Sequence, residues 1–376
     1  MMSQRFLIVW LTLLSCCLCA AGLHAEPVRI TDIAGRQVTL KHPAKTFILS
    51  EGRYALALGL VREGNPVAGL VGLMQPIAWT YPDLEAQIAA RYPEVRNIPL
   101  YGGQDDSSVS VEAIIDLKPE VALFGIQDHG PGSRNGELLR QLASAGIKVV
   151  FIDFRMDPIR NTQRSLEILG QVFGAAERTG QYLEYYREKL AAIRQGVSEI
   201  THRPRVFLQA HPGRFECCLA MASGMLGPFI ELAGGTNIAA AISPGPTSQH
   251  TVEYLLVENP EVWIGTASGT AKEAQQGKRI VALGPGLSQE VSRATLQKFL
   301  QQDGFGALDA VQNKRAYAIW HDFYNSPLNI VAAEAFAKWI HPERFRQADP
   351  EATLRHIYQQ FLPYEWSGTA TIGNDS

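Results

Sequence analysis

One phrase is written twice in this chain, and the repeat limits the folds open to it more than any other feature. VSVEAIIDLKPEVALFG runs from Val109 to Gly125, and HTVEYLLVENPEVWIG from His250 to Gly265. In each copy Val-Glu is followed by Pro-Glu-Val, with the proline seven residues after the glutamate. Between the copies, in Ala176 to Ile200, apolar or half-apolar side chains recur in steps of three and four at Leu183, Tyr186, Leu190, Ile193, Val197 and Ile200, while Glu184, Arg187, Glu188 and Lys189 take the other faces. That spacing predicts one amphipathic helix, roughly 37 Å long at about 1.5 Å per residue. Two related lobes held apart by a stiff helical connector follow from this arrangement.

Each lobe reads as alternating strand and helix. In the first copy Ser110 is placed to cap a helix through Leu117, Pro119 stops it, and Val121 to Gly125 is apolar throughout, as in a strand buried on both faces. Before it come a hairpin over Val28 to Leu40 about Ala34-Gly35 and a short strand over Phe47 to Ser50; after it comes a strand over Lys148 to Asp153. Pro76 to Pro99 is aromatic and proline-rich, and reads as an excursion over the ligand side. Asp157-Pro158 opens a helix to about Gln171. Past the connector the pattern restarts with strands over Arg205 to Ala210, Val262 to Gly265 and Ala316 to Trp320. Thr266 to Gln289, rich in Gly, Ser and Gln, reads as a mobile loop, and Pro350 to Phe361 as a closing helix. The fold class is α/β: two Rossmann-like lobes with parallel sheets. The boundaries are a leader over 1–25, an N-terminal lobe over 26–156, a linker with the long helix over 157–202, a C-terminal lobe over 203–345, and a helix with a disordered tail over 346–376.

The leader has Arg5 as its positive start, an apolar run from Phe6 to Ala21, and Leu23-His24-Ala25 before Glu26 as a cleavage site, so the chain reads as exported to the periplasm. Leu13-Leu14-Ser15 before Cys16 leaves a lipid tether open as an alternative ending. Three of the five cysteines, Cys16, Cys17 and Cys19, lie in the leader. Only the adjacent Cys217 and Cys218 remain, so no framework of disulfides holds the fold; the expectation is a buried apolar pair, with a vicinal disulfide as the sharper alternative. Removing Arg5 takes the formal charge from −3 to −4, which gives no basis for a nucleic-acid partner. No G-x-G-x-x-G, P-loop, H-E-x-x-H or G-x-S-x-G occurs, which argues against an enzyme.

Several stretches resemble the substrate-binding proteins of ABC importers for ferric siderophores, haem and vitamin B12: TDIAGRQVTL, the Glu-Ala-Ile-Ile-Asp-Leu-Lys-Pro-Glu phrase, IELAGGTNIA at Ile230 to Ala239, the second phrase ending Asn259-Pro260-Glu261, and DAVQNKRAYAI at Asp309 to Ile319. The likeness covers Val28 to about Phe345 and departs from the family over Leu73 to Gln104. It implies two lobes bridged by one long helix, a ligand between them, a monomer with no intrinsic cofactor, and docking on an ABC permease. In proteins similar to this one the glutamate at the place of Glu112 and Glu253 docks on permease arginines. Read from the residues alone, both sit early in a helix, where the helix dipole by itself favours a carboxylate.

Ligands approach a parallel sheet at the carboxyl ends of its strands. That rule selects Glu51, Arg53 and Tyr54; Gln127, Asp128, His129 and Arg134; Asp153 and Arg155; His211 and Arg214; and Trp320, His321, Asp322, Tyr324 and Asn325. Tyr101, Gln104, Asp105 and Asp106 lie in a glycine-rich loop before the first phrase copy. Two chemistries compete for the set. Arginines with aromatics suit a bulky anionic chelate, such as a ferric siderophore. His129, His211 and His321 could instead bind a metal ion directly, with Glu51 or Asp153 as fourth ligand. The resemblance is to chelate binders, so the chelate is preferred; haem, cobalamin and a bare metal ion stand as alternatives. Ordinary surface ion pairing and edge packing would account for any single arginine or tyrosine.

Overall fold

The computed structural model describes residues 27–103, 105–127, 130–276, 279–302 and 304–374, with the side chain of Asp106 outside the description. The expected leader, Gln104, Asp128 and His129 therefore lie outside the described residues.

The expected hairpin forms between Val28–Thr31 and Gln37–Leu40. Beside it the N-terminal lobe carries a four-stranded, all-parallel sheet in the order Leu70–Leu73, Phe47–Leu49, Val121–Gly125, Lys148–Ile152. Val121–Gly125 is buried along its whole length, as its unbroken apolar text requires of a central parallel strand. The C-terminal lobe has a parallel centre of Arg205–Ala210, Val262–Ala267 and Ala316–Trp320. Antiparallel strands extend it: Leu219–Met221 and Thr247–Gln249 on one side, Thr371–Gly373 on the other.

The repeated phrase does the same work in both lobes. Ser110 and Thr251 cap the helices Val111–Leu117 and Val252–Glu258, accepting from the backbone N–H groups of Ala113 and Tyr254. Both helices end on a left-handed residue, Lys118 and Asn259. The glutamate after the proline then reaches back to the start of the lobe's first strand. Glu120 accepts from the Lys45 N–H at 2.7 Å, and Glu261 from the Arg205 N–H at 3.0 Å. The second copy adds His202, whose Nε2 lies 3.0 Å from Glu261.

The long helix runs from Ala176 to Val197, ending one turn before the Ile200 expected from periodicity. Leu183, Tyr186, Leu190 and Ile193 are buried as its spacing predicts, joined by Thr179 and Tyr182, while Val197 and Ile200 are only half-buried. It lies against both lobes. Tyr182 donates to the carbonyl of Pro327 at 2.7 Å; Tyr186 donates to Asn329 Oδ1 at 2.8 Å, and Asn329 donates in turn to Thr162 Oγ1 at 2.7 Å. That buried chain of hydrogen bonds joins Pro158–Phe173, the long helix and Asn329–Ile340.

Three expectations need correction. The tail over 346–376 is ordered as far as it is described: after Pro350–Phe361 the chain pairs at Gly368–Thr369 with Gly284–Pro285, and Thr371–Gly373 joins the edge of the C-terminal sheet beside Tyr317–Ile319. Its short text gives little warning, because what holds it is an open sheet edge and a site for Ala370 and Ile372 in the core. The loop after Val262–Ala267 is also built rather than loose. Thr270 and Glu273 form a capping box on Ala271–Gln275, and Ile280 to Leu283 are buried. Cys217 and Cys218 are joined as a vicinal disulfide, so the expected unlinked pair gives way to the alternative.

Candidate functional site

In the N-terminal lobe, Phe47–Leu49 delivers the chain to Ser50, Glu51 and the turn Gly52–Tyr54. A side chain at Gly52 would come within 2.5 Å of the Ile77 backbone nitrogen, so this glycine is what lets Ile77–Trp79 pack down beside the strand end. Glu51 is fully buried and paired with Arg53, Nε to Oε2 at 2.5 Å. Asn325 of the other lobe donates to the same carboxylate at 3.3 Å. The Arg53 guanidinium lies 5.1 Å over the ring of Tyr324, and its Nη1 is buried without a hydrogen-bond partner among the described residues. Burial opposes the charge, but Tyr324, Glu51, Asp322 and Tyr81 outweigh it and keep the guanidinium ionised.

In the C-terminal lobe, Arg205–Ala210 ends in His211, held in a left-handed conformation at φ 48° with its N–H bonded to the Thr266 carbonyl at 2.8 Å. That kink sets its ring on His321, centroid to centroid 3.6 Å, and Thr266 Oγ1 lies 2.8 Å from His321 Nδ1. Burial, then the charge of Arg214, lowers the His211 pKa to about 4. Burial, then His211 and Arg53, Arg214 and Arg155, pushes His321 well below the usual histidine range. Both rings are therefore neutral near pH 7. Arg214 pairs with Glu273 at 2.9 Å and donates to the Ser268 carbonyl; that arginine, first among several causes, holds Glu273 at about 2. Burial raises Asp322 to about 6 against the opposing pull of Arg53.

These groups surround a cavity of about 540 Å³ between the lobes. From the N-terminal side come Arg53 and the stretch from Ala78 to Asp83; from the C-terminal side His211, Arg214, Ser268 to Ala271, His321 and Tyr324. Trp79 stands half-exposed at the rim.

Of the residues selected from sequence, Arg53, His211, Arg214, Trp320, His321 and Tyr324 line this cavity, and Asp322 with them. Glu51 and Asn325 stand behind Arg53. Arg155 is half-buried and close enough for its charge to act on His321 and Tyr324, and its carbonyl accepts from Met225 across the lobes at 2.9 Å. Others lie elsewhere. Tyr54 is buried against Phe154, and Tyr101 is buried in the N-terminal core with its hydroxyl donating to the Leu49 carbonyl at 2.7 Å. Both satisfy the packing role that aromatics near a strand end take by default. Gln127 and Arg134 are exposed and outside the cavity wall, as is Asp105, which bonds to Ser107.

Of the groups named for direct metal binding, His211, His321, Glu51 and Asp153 are described. The rings of His211 and His321 lie 3.6 Å apart, tilted by 30°, and among the described residues no group of three or more His, Cys, Asp or Glu able to hold a metal ion is present. Asp153 is taken: its two oxygens accept from the N–H groups of Arg155, Met156 and Asp157 and from Asn161 Nδ2. His129, the third histidine of that set, lies outside the described residues. What sequence reasoning passed over is the wall from Ser268 to Glu273, read as a mobile loop. The strand-end rule that found His211 applies equally to the end of Val262–Ala267, and would have found it. Glu112 and Glu253 are exposed in the first turns of their matching helices.

Residues 76–322 match a family model described as periplasmic binding protein. A solved TroA-like periplasmic binding protein, FepB from Veillonella parvula, is 26% identical with a TM-score of 0.78, over 92% of this chain and 99% of that one. The molybdate-binding protein MolA of Haemophilus influenzae is 22% identical over 93% of this chain and 95% of its own length. IsdE of Staphylococcus aureus, a high-affinity heme uptake system protein, is 23% identical over 61% of this chain and 69% of its own. The cleft between two lobes, built on the repeated phrase and spanned by one long helix, and the family match agree: the chain belongs to the periplasmic binding protein family, as the substrate-binding component of an ABC importer and not an enzyme.

Proposed function

We propose that this protein captures an anionic metal chelate of the ferric-siderophore type in the inter-lobe cavity and presents it to an ABC permease in the periplasm. One observation supports the reading: a buried, ionised Arg53 faces the cavity with no partner for Nη1 among the described residues, across from Arg214 of the other lobe. A buried donor with no acceptor is costly, and an oxygen-rich anion supplies the acceptor. Volume supports the larger ligand. About 540 Å³ suits a multi-atom ligand, whereas a tetrahedral oxyanion would leave most of it empty. The neutral imidazoles add lone pairs without adding charge. The MolA likeness supports a second reading, an oxyanion, which would use the same arginines.

Native mass spectrometry of protein taken from its source, followed by thermal shifts against ferric catecholate, ferric hydroxamate, haem, cobalamin and molybdate, tests this. A ferric chelate should raise Tm by several degrees at saturating concentration. A shift with molybdate alone would replace the chelate by an oxyanion; zinc or manganese that survives dialysis and is lost in His211→Ala would replace it by a metal ion. Our reading assigns docking to Glu112 and Glu253, two exposed carboxylates in matching helices, which would orient encounter more than they add affinity. Reversing both to Lys should leave chelate affinity within twofold and abolish uptake; persistent uptake would remove them from the docking surface.

A further inference from the structure

A second chamber opens beside the arginine-lined cavity and shares Asp83, Pro285, Gly286 and Trp320 with it. Its volume is about 340 Å³, and its walls include Leu56, Tyr81, Leu84, Tyr358 and Trp366. Its chemistry is the reverse of its neighbour's. Trp320 stands between the two, 5.6 Å from the ring of Tyr81 and 5.1 Å from that of Trp366, which in turn lies 5.6 Å from Tyr358. The outer wall is the C-terminal segment. Gln87 Nε2 donates to the Glu365 carbonyl at 3.0 Å while the Glu365 N–H donates to Gln87 Oε1 at 2.8 Å, and Arg91 donates to the Pro363 carbonyl at 3.1 Å. Those three bonds tie the tail to the helix Pro82–Arg91, whose first turn also lines the arginine cavity.

We propose that the two chambers form one site for a two-part ligand: an anionic chelating head among the arginines, and an apolar, preferably aromatic, arm behind Trp320. The assignment rests on the chelate reading above and specifies the class of chelate. Adjacency argues for it, since Trp320 and the Pro285-Gly286 pair line both spaces. Lining argues for it too: flat rings around a narrow space take an aryl or alkyl group by burial and stacking.

The test compares two probes, the ferric complex of 2,3-dihydroxybenzoate and that of its N-benzyl amide, by quenching of tryptophan fluorescence. The benzyl probe should bind the native protein at least tenfold more tightly. Ala86→Trp, at an exposed helix position on the chamber's lip, should abolish that increment while the Kd of the head-only probe moves less than twofold. Trp366→Ala should reduce the increment as well, and because Trp366 helps seat the tail, Ala86→Trp decides if that variant is unstable. Equal affinity of the two probes, or an increment that survives Ala86→Trp, overturns the second chamber and leaves the chelate reading in place. If neither ferric probe binds and molybdate does, the chelate reading falls and takes this proposal with it.

Discussion

At the end of its first central strand the N-terminal lobe places a buried ion pair, Glu51 with Arg53, while at the matching end of Arg205–Ala210 the C-terminal lobe places a neutral imidazole, His211, and a partly exposed ion pair, Arg214 with Glu273. The scaffolds below these ends are alike: a capped helix, a left-handed stop, and a glutamate that reaches back to the strand start. The lobes thus share what makes a strand end and differ in what stands on it. One lobe supplies a fixed charge that the fold itself must balance. The other supplies charge that water partly screens. The difference predicts that changes at the cleft cost stability on one side and affinity alone on the other.

Arg53→Ala should have the largest effect. It removes the ion-pair partner of a carboxylate that is fully buried, which costs about 3–5 kcal/mol by urea denaturation, and it should abolish ligand binding. Glu51→Gln combined with Arg53→Met should recover most of the stability and none of the binding; recovery of binding would assign Arg53 to structure alone. Asn329→Ala comes next, at about 2–3 kcal/mol, because it leaves the buried Tyr186 hydroxyl without its acceptor. Arg214→Ala should cost about 1 kcal/mol, since its pair with Glu273 is partly exposed and screened, yet weaken chelate binding at least tenfold. Equal stability losses in Arg53→Ala and Arg214→Ala would dissolve the contrast between the lobes.

The pH dependence sharpens it further. A histidine whose pKa falls from 6.5 to about 4 on folding contributes stability that is complete above pH 6.5 and is lost as the pH drops toward 4. Asp322, raised from 3.8 to about 6, acts oppositely: its contribution is present in acid and is lost as the pH climbs through 6. Between pH 7 and 4.5, His211→Asn should therefore lose several degrees less of Tm than the native protein, and Asp322→Asn several degrees more. The smallest effects belong to the repeated clamp. Glu120→Gln and Glu261→Gln should each cost about 1 kcal/mol, with Glu261 the larger because it also holds His202.

The repeat, the helix caps at Ser110 and Thr251, the stop prolines and the three-and-four spacing of the long helix were all legible in the chain. Each is a local matter of backbone and periodicity, decided within a few residues. The strand-end rule also selected Arg53, His211, Arg214 and His321, whose loops the topology brings to one inter-lobe cavity. Only the tertiary structure decided which members of that set turn inward. Tyr54 and Tyr101 have the same neighbours in sequence as a ligand contact would have, and are core residues because space for a ring exists there. It likewise decided that His211 and His321 meet with their rings 3.6 Å apart, through the left-handed turn at His211 and the hydroxyl of Thr266 more than fifty residues away. The tail was undecidable from its own text: Thr371–Gly373 becomes a strand because Ala316–Trp320 presents a free edge, and a hydrogen-bonding edge belongs to the assembled sheet and to no stretch of sequence.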